Sequence, residues 1–544
     1  MIGVMKMNIN LNLHKGFADC INKMVKKYGE KFSLMNGFSN SNLNFTDFID
    51  NFIKSSSVAD TTIDANANST TLDVRTLLSD MVKPHTKLLS YNKIFGELSE
   101  KYGSEVAEKW LEGEWNGQFY LHNSSTASFI PYCYAYDLDK LVEKGLFFIN
   151  KFKTAPCQHL TTFNDHVLEF ISWTANRSSG AVGLPSYLLY SYYFWYNDVK
   201  NNFFLKDPEY YRRQCFQKFI YDLNQPYLRV TECAFSNITV MDRNYLIELF
   251  GGRQFPNGDL VMDHIEQIIE HQKVFMEVVS EIREETMMTF PVLTYSLLFQ
   301  DGKFVDEEFA RWCNKHNMKW YDSNFYVGSD VSSLSNCCRL ISNTSKLNAF
   351  INSVGGTSLS VGSVQVNTIN LRRIAIEAEG SKEKFIEILK NRIDICVKVL
   401  DVVRDIIKQN IKEGLLPNYT SGLIELSKQY NTIGITAMYE ALYEFGLIDT
   451  DEFENKSYSP EGLEFASKIL SVINEQKESY GFDYSINVEA VPAERANVVL
   501  SGKDAELYPE KEQYFIYSNQ WIPLMEKCTL NEKIKLGAKL DKEC

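Results

Sequence analysis

Several features that assign proteins to common classes are missing from this sequence. Its 544 residues contain no C-x-x-C pair, no G-x-G-x-x-G and no Walker A lysine after a glycine-rich loop. The first absence argues against an ordinary zinc site, and the others argue against the commonest phosphate-binding loops. No run of about 18 apolar residues occurs, so no transmembrane helix and no membrane partner are expected. The start, "MIGVMKMNINLNLHKGF", has no continuous apolar segment, so we expect no signal peptide and a cytoplasmic location.

Clustered positive charge is also missing. The net charge is −14, and no run rich in lysine and arginine is present. Proteins that bind nucleic acids usually carry a basic surface, so we expect neither DNA nor RNA as a partner. Small phosphorylated ligands remain compatible, because they need only a few local donors. Since 44% of the residues are apolar and 13% are aromatic, the chain can bury a large core, as two or three domains or as one large barrel.

The 11 cysteines are scattered and odd in number, unlike a disulfide framework, so most should be buried apolar residues. Two of them, Cys337 and Cys338, are adjacent in "SDVSSLSNCCRLISN". Neighbouring side chains point apart in an extended chain, which makes a shared zinc ion difficult. No histidine is an obvious partner for papain-type catalysis. Thiyl-radical chemistry remains, because S–H and activated C–H bonds have similar strengths and a thiol can exchange a hydrogen atom with a ribose carbon.

Histidine pairs give only a weak indication of a metal site. His264 and His271 are seven residues apart on a predicted helix, which places them on one face but two turns apart. That spacing is long for a shared metal ion, so we expect a solvated face there. His159 and His166 lie on either side of a predicted helix start and are no stronger. We therefore predict no metal on this chain.

Two further segments contain residue types that can bind or transform a ligand. Glu489 and Glu494 flank a proline in "EAVPAER", and paired carboxylates can perform acid–base chemistry. The loop "SVGGTSLSVGS" contains Gly355 and Gly356, and its backbone N–H groups could hold phosphates. Without a Walker A lysine this second indication is weak, and an ordinary loop has the same composition.

The order of predicted elements favours an α/β fold. Residues 1–70 are predicted to be largely helical, and Thr71 is a plausible N-cap for the amphipathic run that follows. "QKFIYDLNQPYLRVTECAFSNITV" has β-like composition broken by Pro226, and "INVEAVPAERANVVL" is predicted as strand and loop. Helical periodicity is clear over 164–176, 259–289 and 382–413. Strands that alternate with long helices indicate α/β layering, and a closed barrel is one form of it.

Taken in order, several motifs resemble those of the anaerobic (class III) ribonucleotide reductases, a glycyl-radical enzyme family. The matching segments span residues 65–541 and are "DANANSTT", "GQFYLHNSSTASFIPYCYAYDLDKLVEKG", "QKFIYDLNQPYLRVTECAFSNITV", "SNCCRL", "GSVQVNTINLRRIA", "VEAVPAERANVVLSGKD" and "YFIYSNQWIPL". Each motif alone is moderately specific, but their shared order makes the resemblance strong.

The resemblance implies a ten-stranded α/β barrel with a central finger loop, surrounded by long helices. Residues 71–544 would form this barrel, preceded by a helical segment, 1–70, with no evident ATP-cone. Cys338 directly precedes an arginine, as the family's thiyl-radical cysteine does, so it would take the 3′ hydrogen of the ribose. Cys133, on the first barrel strand, would return a hydrogen to C2′. Cys337 would be a neighbour with a less direct role, and Asn336, Glu489 and Glu494 would lie near the substrate.

The resemblance also implies substrates, effectors and partners. The substrates would be ribonucleoside triphosphates, the effectors ATP, dATP, dGTP and dTTP, and the large chain a homodimer. The family's zinc module, C-x-x-C…C-x-x-C, and its radical loop, R-x-x-G-Y, do not occur in these 544 residues. We therefore expect a split enzyme in which a small partner chain supplies zinc and the glycyl radical. That radical would be made by an S-adenosylmethionine-dependent iron–sulfur activase. This chain would act in the cytoplasm of a bacterial cell, as a bacterial or a phage-encoded protein.

The sequence is compatible with more than one reductant, more than one type of glycyl-radical enzyme, and a non-catalytic protein. Cys233 stands where the family often has glutamine, and it could pair with Cys133 if the reductant is a thioredoxin-like protein rather than formate. Adjacent cysteines also occur in enzymes of the pyruvate formate-lyase type, although these need no second thiol at the position of Cys133. A third possibility is a truncated or non-catalytic remnant that binds nucleotides without radical chemistry.

Overall fold

The computed structural model describes residues 12–38, 46, 49–50, 52–53, 74–149, 153–204, 206–229, 232–286, 288–331, 333–336, 340–343, 359–490 and 494–541. Ten strands of this part of the chain share one sheet. The strands of the whole described part are β1 (Phe119–Leu121), β2 (Cys133–Ala135), β3 (Val182–Leu184), β4 (Ser236–Met241), β5 (Val292–Gln300), β6 (Lys303–Phe304), β7 (Ser323–Gly328), β8 (Ser333–Asn336), β9 (Leu340–Asn343), β10 (Val361–Asn370), β11 (Gln429–Thr436), β12 (Ile448–Thr450), β13 (Lys456–Tyr458) and β14 (Ile486–Glu489).

Two groups of parallel strands make up the large sheet. One group is β2, β3, β4, β5 and β7, and the other is β10, β11 and β14. They meet where β10 pairs antiparallel with β2, with Gly362 opposite Tyr134. Strand β1 also pairs antiparallel with β10, and β6 pairs antiparallel with β5. The expectation of an α/β fold built on about ten strands is therefore confirmed.

Long helices cover one face of this sheet. The helices are α1 (Lys15–Met35), α2 (Val74–Tyr102), α3 (Ser104–Asn116), α4 (Asp139–Lys144), α5 (Leu160–Ala175), α6 (Tyr187–Lys200), α7 (Pro208–Leu223), α8 (Arg243–Phe250), α9 (Ile265–Glu285), α10 (Glu307–Trp320), α11 (Leu371–Ala378), α12 (Lys382–Lys412), α13 (Pro417–Thr420), α14 (Met438–Glu444), α15 (Pro460–Glu478), α16 (Glu494–Leu507) and α17 (Leu530–Leu540). No helix in the described ranges is long and apolar enough to cross a membrane.

The two faces of the strands differ in polarity. Ile238 and Val240 of β4 and Tyr295 of β5 belong to the main apolar core, which lies between the sheet and the helices. Because side chains alternate along a strand, Thr239 and Ser296 point to the opposite face. That face also holds small clusters of buried side chains, such as the cluster of Cys133, Ala181 and Tyr430. The helix-covered face is therefore apolar, and the inner face contains polar and reactive side chains.

A separate two-stranded hairpin contacts the strands of the large sheet. Strands β8 and β9 are antiparallel, with Asn336 opposite Leu340. The first arm contacts β4, β5 and β7, and the second arm contacts β10. The hairpin thus touches both parallel groups, as the expected finger loop would. Cys337 and Cys338 fall between the two arms and lie outside the described residues.

The predicted secondary structure of two segments was wrong. Residues 217–223 were expected to be β-like, but they belong to α7, which Asp207 caps by accepting a hydrogen bond from the Tyr210 N–H. Phe216, Phe219, Ile220 and Leu223 are buried there at helical spacing, so periodicity overrides composition. Residues after Glu489 were expected to be strand and loop, but α16 occupies 494–507. Its buried Lys503 and Asp504 are held by polar partners rather than by an apolar stripe, which hides the helical period.

Other predicted boundaries shift slightly. The helix expected over 259–289 begins with a 3₁₀ turn at Val261–His264 and continues as α9 to Glu285. The helix expected over 164–176 begins at Leu160, and the one over 382–413 ends at Lys412. Thr71 lies outside the described residues.

Candidate active site on the inner face of the sheet

Cys133 lies on the inner face at the junction of the two strand groups. Its side chain is only 5% exposed and packs with Ala181 and Tyr430. The backbone N–H of Ala181 donates a hydrogen bond to Sγ at 3.2 Å. Ser363 of β10 lies directly opposite on the neighbouring strand. The thiol is therefore fixed in one orientation beside the strand that follows the hairpin.

Two glycines permit this close packing. A Cβ atom added at Gly180 would lie within 3.0 Å of the Cys133 Sγ and 2.9 Å from the Tyr132 carbonyl oxygen. A Cβ added at Gly362 would lie within 3.0 Å of the Cys133 carbonyl oxygen. Real side chains do not tolerate such distances, so both positions require glycine for the backbone to approach Cys133.

Polar side chains continue along β10 and β11. The hydroxyls of Ser363 and Thr432 are 3.0 Å apart, and the Nε2 atom of His122 is 2.8 Å from the Thr368 Oγ1 atom. Burial lowers the pKa of His122 to about 4, so its imidazole is neutral at pH 7. A neutral ring orients its neighbours by hydrogen bonding and carries no charge into the site. Sequence reasoning missed His122, although it lies in the quoted segment "YLHNSS".

Two buried hydroxyls on the other strand group have no hydrogen-bond partner among the residues that the structure describes. The Oγ1 atom of Thr239 and the Oγ atom of Ser296 are enclosed and unpaired within the described ranges. Buried polar groups are usually hydrogen-bonded, so such atoms call for a polar ligand or an ordered water. Both residues belong to strands that the hairpin arm β8 contacts. The inner face is therefore suited to a polar ligand rather than to an apolar one.

Cys233 lies in a segment that packs beside the loop before β3, the loop that contacts the Cys133 sulfur. Phe235, two residues later, packs on the Cys133 group, and Arg229 donates hydrogen bonds to the carbonyls of Ser178 and Gly180. The Cys233 thiol donates to the Asn224 carbonyl at 3.1 Å. Burial raises the pKa of this thiol to about 11, so it is protonated at neutral pH. Both cysteines are free thiols.

The other predicted site residues are placed less completely. Glu489 is half-buried at the end of β14, opposite Gly434 of β11. Glu494 begins α16 and Asn336 ends β8, but neither side chain is among those described. Gly355 and Gly356 lie outside the described residues, together with the two adjacent cysteines.

A buried carboxyl group near the end of β11 was not predicted. Glu440 is 1% exposed, and its Oε1 atom accepts a hydrogen bond from the Ser518 N–H at 2.9 Å. The Ser518 carbonyl in turn accepts from the Ala437 N–H at 2.9 Å. Burial raises the pKa of Glu440 to about 7. These contacts attach the "YSNQ" segment to the C-terminal end of β11, and only the order of the motifs could have pointed to them.

A buried ionic network holds α16 in place. Asp504 pairs with Arg373 and also accepts hydrogen bonds from Asn370 at 2.9 Å and from the Tyr517 hydroxyl at 2.7 Å. Arg372 donates to the same Tyr517 hydroxyl at 2.9 Å. Since α16 begins with Glu494, this network fixes the segment that was predicted to lie near the substrate.

The pair His264 and His271 is structural, and the solvated face expected for it is wrong. His271 is fully buried, and its Nε2 atom is 3.0 Å from the Ser191 Oγ atom. Burial holds the pKa of His271 well below its usual value. The Nδ1 atom of His264 is 2.8 Å from the Tyr192 hydroxyl, so the pair joins α9 and the 3₁₀ turn before it to α6. Within the described part of the chain, no group of three or more His, Cys, Asp or Glu residues could hold a metal.

Comparisons with known proteins agree with this geometry. The family model described as anaerobic ribonucleoside-triphosphate reductase matches residues 81–544. No curated protein matches the chain. Among solved structures, the anaerobic ribonucleotide reductase from Thermotoga maritima in complex with dATP and CTP is 38% identical, with a TM-score of 0.88. That match covers 99% of this chain and 86% of the other.

Two more structures give the same result. The Thermotoga maritima enzyme with dATP bound in the specificity site is 39% identical, has a TM-score of 0.87, and is matched over 87% of its chain and 99% of this one. A structure described as anaerobic ribonucleotide reductase is 40% identical, has a TM-score of 0.88, and is matched over 83% of its chain and 99% of this one. Both the identity and the coverage exceed what a shared fold alone would require. This chain therefore belongs to the anaerobic ribonucleoside-triphosphate reductase family.

Proposed function

We propose that this chain reduces ribonucleoside triphosphates to deoxyribonucleoside triphosphates, as the catalytic subunit of a split enzyme. The observation that carries the proposal is the fixed thiol of Cys133 on the polar inner face, beside a hairpin that contacts both strand groups. The Thermotoga maritima relative was crystallised with CTP and dATP, which supports a ribonucleoside triphosphate as substrate and a deoxynucleotide as effector. ATP, dGTP and dTTP complete the proposed effectors, by resemblance to the family.

The proposed chemistry uses hydrogen-atom transfer by thiols. Cys338, as a thiyl radical, takes the 3′ hydrogen of the ribose and becomes a thiol. The 2′ hydroxyl then leaves as water after gaining a proton, and Cys133 gives a hydrogen atom to C2′. These steps leave a ketone at C3′ and a thiyl radical at Cys133. The Cys133 radical and the reductant together supply one more electron and one proton, which convert the ketone to a C3′ radical, and Cys338 then returns its hydrogen to C3′ and recovers its thiyl radical. The hydrogen bond from the Ala181 N–H keeps the Cys133 thiol in its position on the inner wall.

The two electrons for each turnover must come from a reductant. If Cys133 and Cys233 are oxidised together to a disulfide, they release two hydrogen equivalents, and a thioredoxin-like protein would reduce them again. If formate is the reductant, it is oxidised to carbon dioxide and Cys233 is only a packed thiol. The packing of Phe235 on the Cys133 group supports the first route. Glu489, Glu494 and Asn336 are proposed to orient the substrate, and Gly355 and Gly356 to approach its phosphates.

The radical glycine is proposed to lie on a second, small chain that also binds zinc. A glycyl radical there, made by an S-adenosylmethionine-dependent activase, would supply the oxidising equivalent that converts Cys338 to its thiyl form. The basis is that residues 1–544 contain neither R-x-x-G-Y nor paired C-x-x-C motifs. A homodimer of the large chain is proposed from the family resemblance. The match to the reductase family over residues 81–544 also favours this reaction over pyruvate formate-lyase chemistry.

Two cysteine variants test the chemistry. The complex is purified anaerobically from its native host, and deoxycytidine triphosphate formation from CTP is measured. We expect Cys338→Ser and Cys133→Ser to abolish turnover, because serine is a far poorer hydrogen-atom donor. The matched control, Cys157→Ser, removes another buried thiol and should keep activity. Normal turnover by either active-site variant would contradict the assigned roles. Mass spectrometry of the same preparation should find a small chain that carries R-x-x-G-Y, and its absence would contradict the split arrangement.

A further inference from the structure

We propose that Lys503 and Asn36 are positioning residues for substrate binding. They join the helix α1 to α16, and through α16 they set the place of Glu494 relative to Cys133. This inference rests on the proposed function, in which Glu494 orients the substrate. It gives a role in the reaction to a helix, Lys15–Met35, that precedes every strand of the described part of the chain.

The first turn of α16 packs beside the cluster that contains Cys133. Ala496 is buried against Val366 of β10, and the side chain of Tyr132 packs against this pair. Tyr132 also packs against the cluster that contains Cys133. Because one ring touches both groups, a displacement of α16 reaches Cys133 through Tyr132. The same displacement moves Glu494, the residue with which the helix begins.

Lys503 holds the other end of α16. It lies about 14 Å from Glu494 along the helix axis and is 1% exposed. Its ammonium group donates hydrogen bonds to the Asn36 Oδ1 atom and to the Glu114 carbonyl, both at 2.9 Å. Its aliphatic stem lies against Gly117, where an added Cβ would be 3.0 Å from the lysine Cδ atom. A buried ammonium needs such acceptors, so the two oxygens fix where this end of the helix lies.

Asn36 connects this lysine to three other helices. It caps the C-terminal end of α1 and is 4% exposed. Its Nδ2 group donates to the Phe32 carbonyl of α1 at 2.8 Å and to the Trp115 carbonyl of α3 at 2.9 Å. Its own backbone carbonyl accepts a hydrogen bond from Lys87 of α2 at 2.5 Å. With the bond from Lys503, one asparagine therefore joins α1, α2, α3 and α16.

The charges at this junction favour a role in geometry rather than in stability. Burial lowers the pKa of Lys503 to about 7 and that of Lys87 to about 8, although the buried carboxylate of Glu114 opposes both shifts. Apolar side chains would join the helices without this desolvation cost, whereas hydrogen-bonded charges are satisfied in few arrangements. The next residue, Asp504, pairs with Arg373 after β10. Two successive buried ionic residues thus fix α16 relative to α1 and to the sheet.

Nucleotide binding tests the positioning role. CTP is titrated by calorimetry into the full chain with dATP present, at a temperature where circular dichroism shows every variant folded. We expect Lys503→Met and Asn36→Ala each to weaken CTP binding about three- to tenfold, the range for residues that act through others. The matched control is Lys31→Met, which breaks the exposed ion pair with Glu506 between the same two helices. Exposed pairs contribute little, so this control should bind CTP like the wild type.

A double-variant cycle distinguishes positioning from a general loss of structure. If Lys503 acts by placing Glu494, Lys503→Met should weaken CTP binding far less in a Glu494→Gln background than in the wild type. A general loosening of the fold would instead multiply the two losses. The dissociation constants of the wild type, the two single variants and the double variant therefore give the required measurement.

The outcomes separate this inference from the proposed function. If Glu494→Gln weakens CTP binding but Lys503→Met and Asn36→Ala do not, the positioning role is overturned while the proposed function stands. If the losses at Lys503 and Glu494 multiply, Lys503 acts only on the fold, and the inference is overturned as well. If the wild-type chain does not bind CTP, the proposed function fails and this inference fails with it.

Discussion

The glycine beside Cys133 gives the sharpest test of the site geometry. Gly180→Ala would place a Cβ within 3.0 Å of the Cys133 Sγ and 2.9 Å from the Tyr132 carbonyl oxygen. The neighbouring Ala181 N–H holds the same sulfur, so the thiol has no free direction in which to retreat without losing that bond. We expect the variant to displace Cys133 and to impair deoxynucleotide formation more than it impairs folding.

The expected loss in the free energy of unfolding of Gly180→Ala follows from overpacking. Forcing one methyl group into a close-packed site costs about 1–3 kcal/mol, and replacing glycine regains about 0.4–1 kcal/mol through the unfolded chain. The net loss is about 1–2 kcal/mol. Since the unfolding entropy grows by about 2.1 cal/mol/K per residue, this chain should melt about 1–2 °C lower. Gly96→Ala is the matched control, because an added Cβ there meets nothing within 4 Å, and alanine favours the helix α2.

A double-mutant cycle isolates the contact with the sulfur. Melting temperatures are measured by scanning calorimetry for the wild type, Gly180→Ala, Cys133→Ala and the double variant. In the Cys133→Ala background the sulfur is gone and only the tight approach to Tyr132 remains, so the penalty of Gly180→Ala should fall by more than half. Equal penalties in both backgrounds would refute the argument that Gly180 exists to accommodate the Cys133 thiol.

Two further predictions concern buried polar groups. The pKa of the Glu440 carboxyl is about 7 in the folded state and near 4.5 in the unfolded state. The unfolded state therefore loses its proton first, and the free energy of unfolding falls as pH rises between these two values, by at most about 3 kcal/mol. Glu440→Gln should therefore gain about 2–3 °C on the wild-type melting temperature between pH 5 and pH 8, and a constant difference would contradict the assignment. The Asn36 side-chain amide donates hydrogen bonds to the carbonyls of Phe32 and Trp115 and accepts one from Lys503. Asn36→Ala removes these bonds and should lower the melting temperature by about 2 °C and speed proteolysis within α1. An unchanged rate of cleavage would count against this assignment.

Much of the fold could be predicted from local patterns. Helix α5 was predicted with its start only four residues from the observed one, because its buried apolar residues recur at helical spacing. The long helix α12 was found from its apolar period, which runs almost unbroken from Phe385 to Ile407. The family resemblance then supplied the ten-strand count, which composition alone had left open.

The predictions that failed concern residues whose environment is set by segments distant in the sequence. His271 looked solvated because only its own helix was considered, but Ser191 and the aromatic rings of α6 cover it. Helix α16 was missed because its buried face contains Lys503 and Asp504, whose partners, except Tyr517, come from elements more than a hundred residues away. The division between a segment 1–70 and a barrel 71–544 stays a prediction.

Long-range polar contacts also explain why the active-site wall can be reactive and still stable. The apolar side chains of β4 and β5 face the helices and join the main core, so the sheet is held to the helices by the face opposite to Thr239, Ser296 and Cys133. The ends of the inner strands are instead fixed by Asp504 with Arg373 and by Ser518 with Ala437. Among the described residues, the hydroxyls of Thr239 and Ser296 have no partner and the Cys133 sulfur accepts a hydrogen bond from the Ala181 N–H, an arrangement that suits a polar ligand and a hydrogen-atom donor.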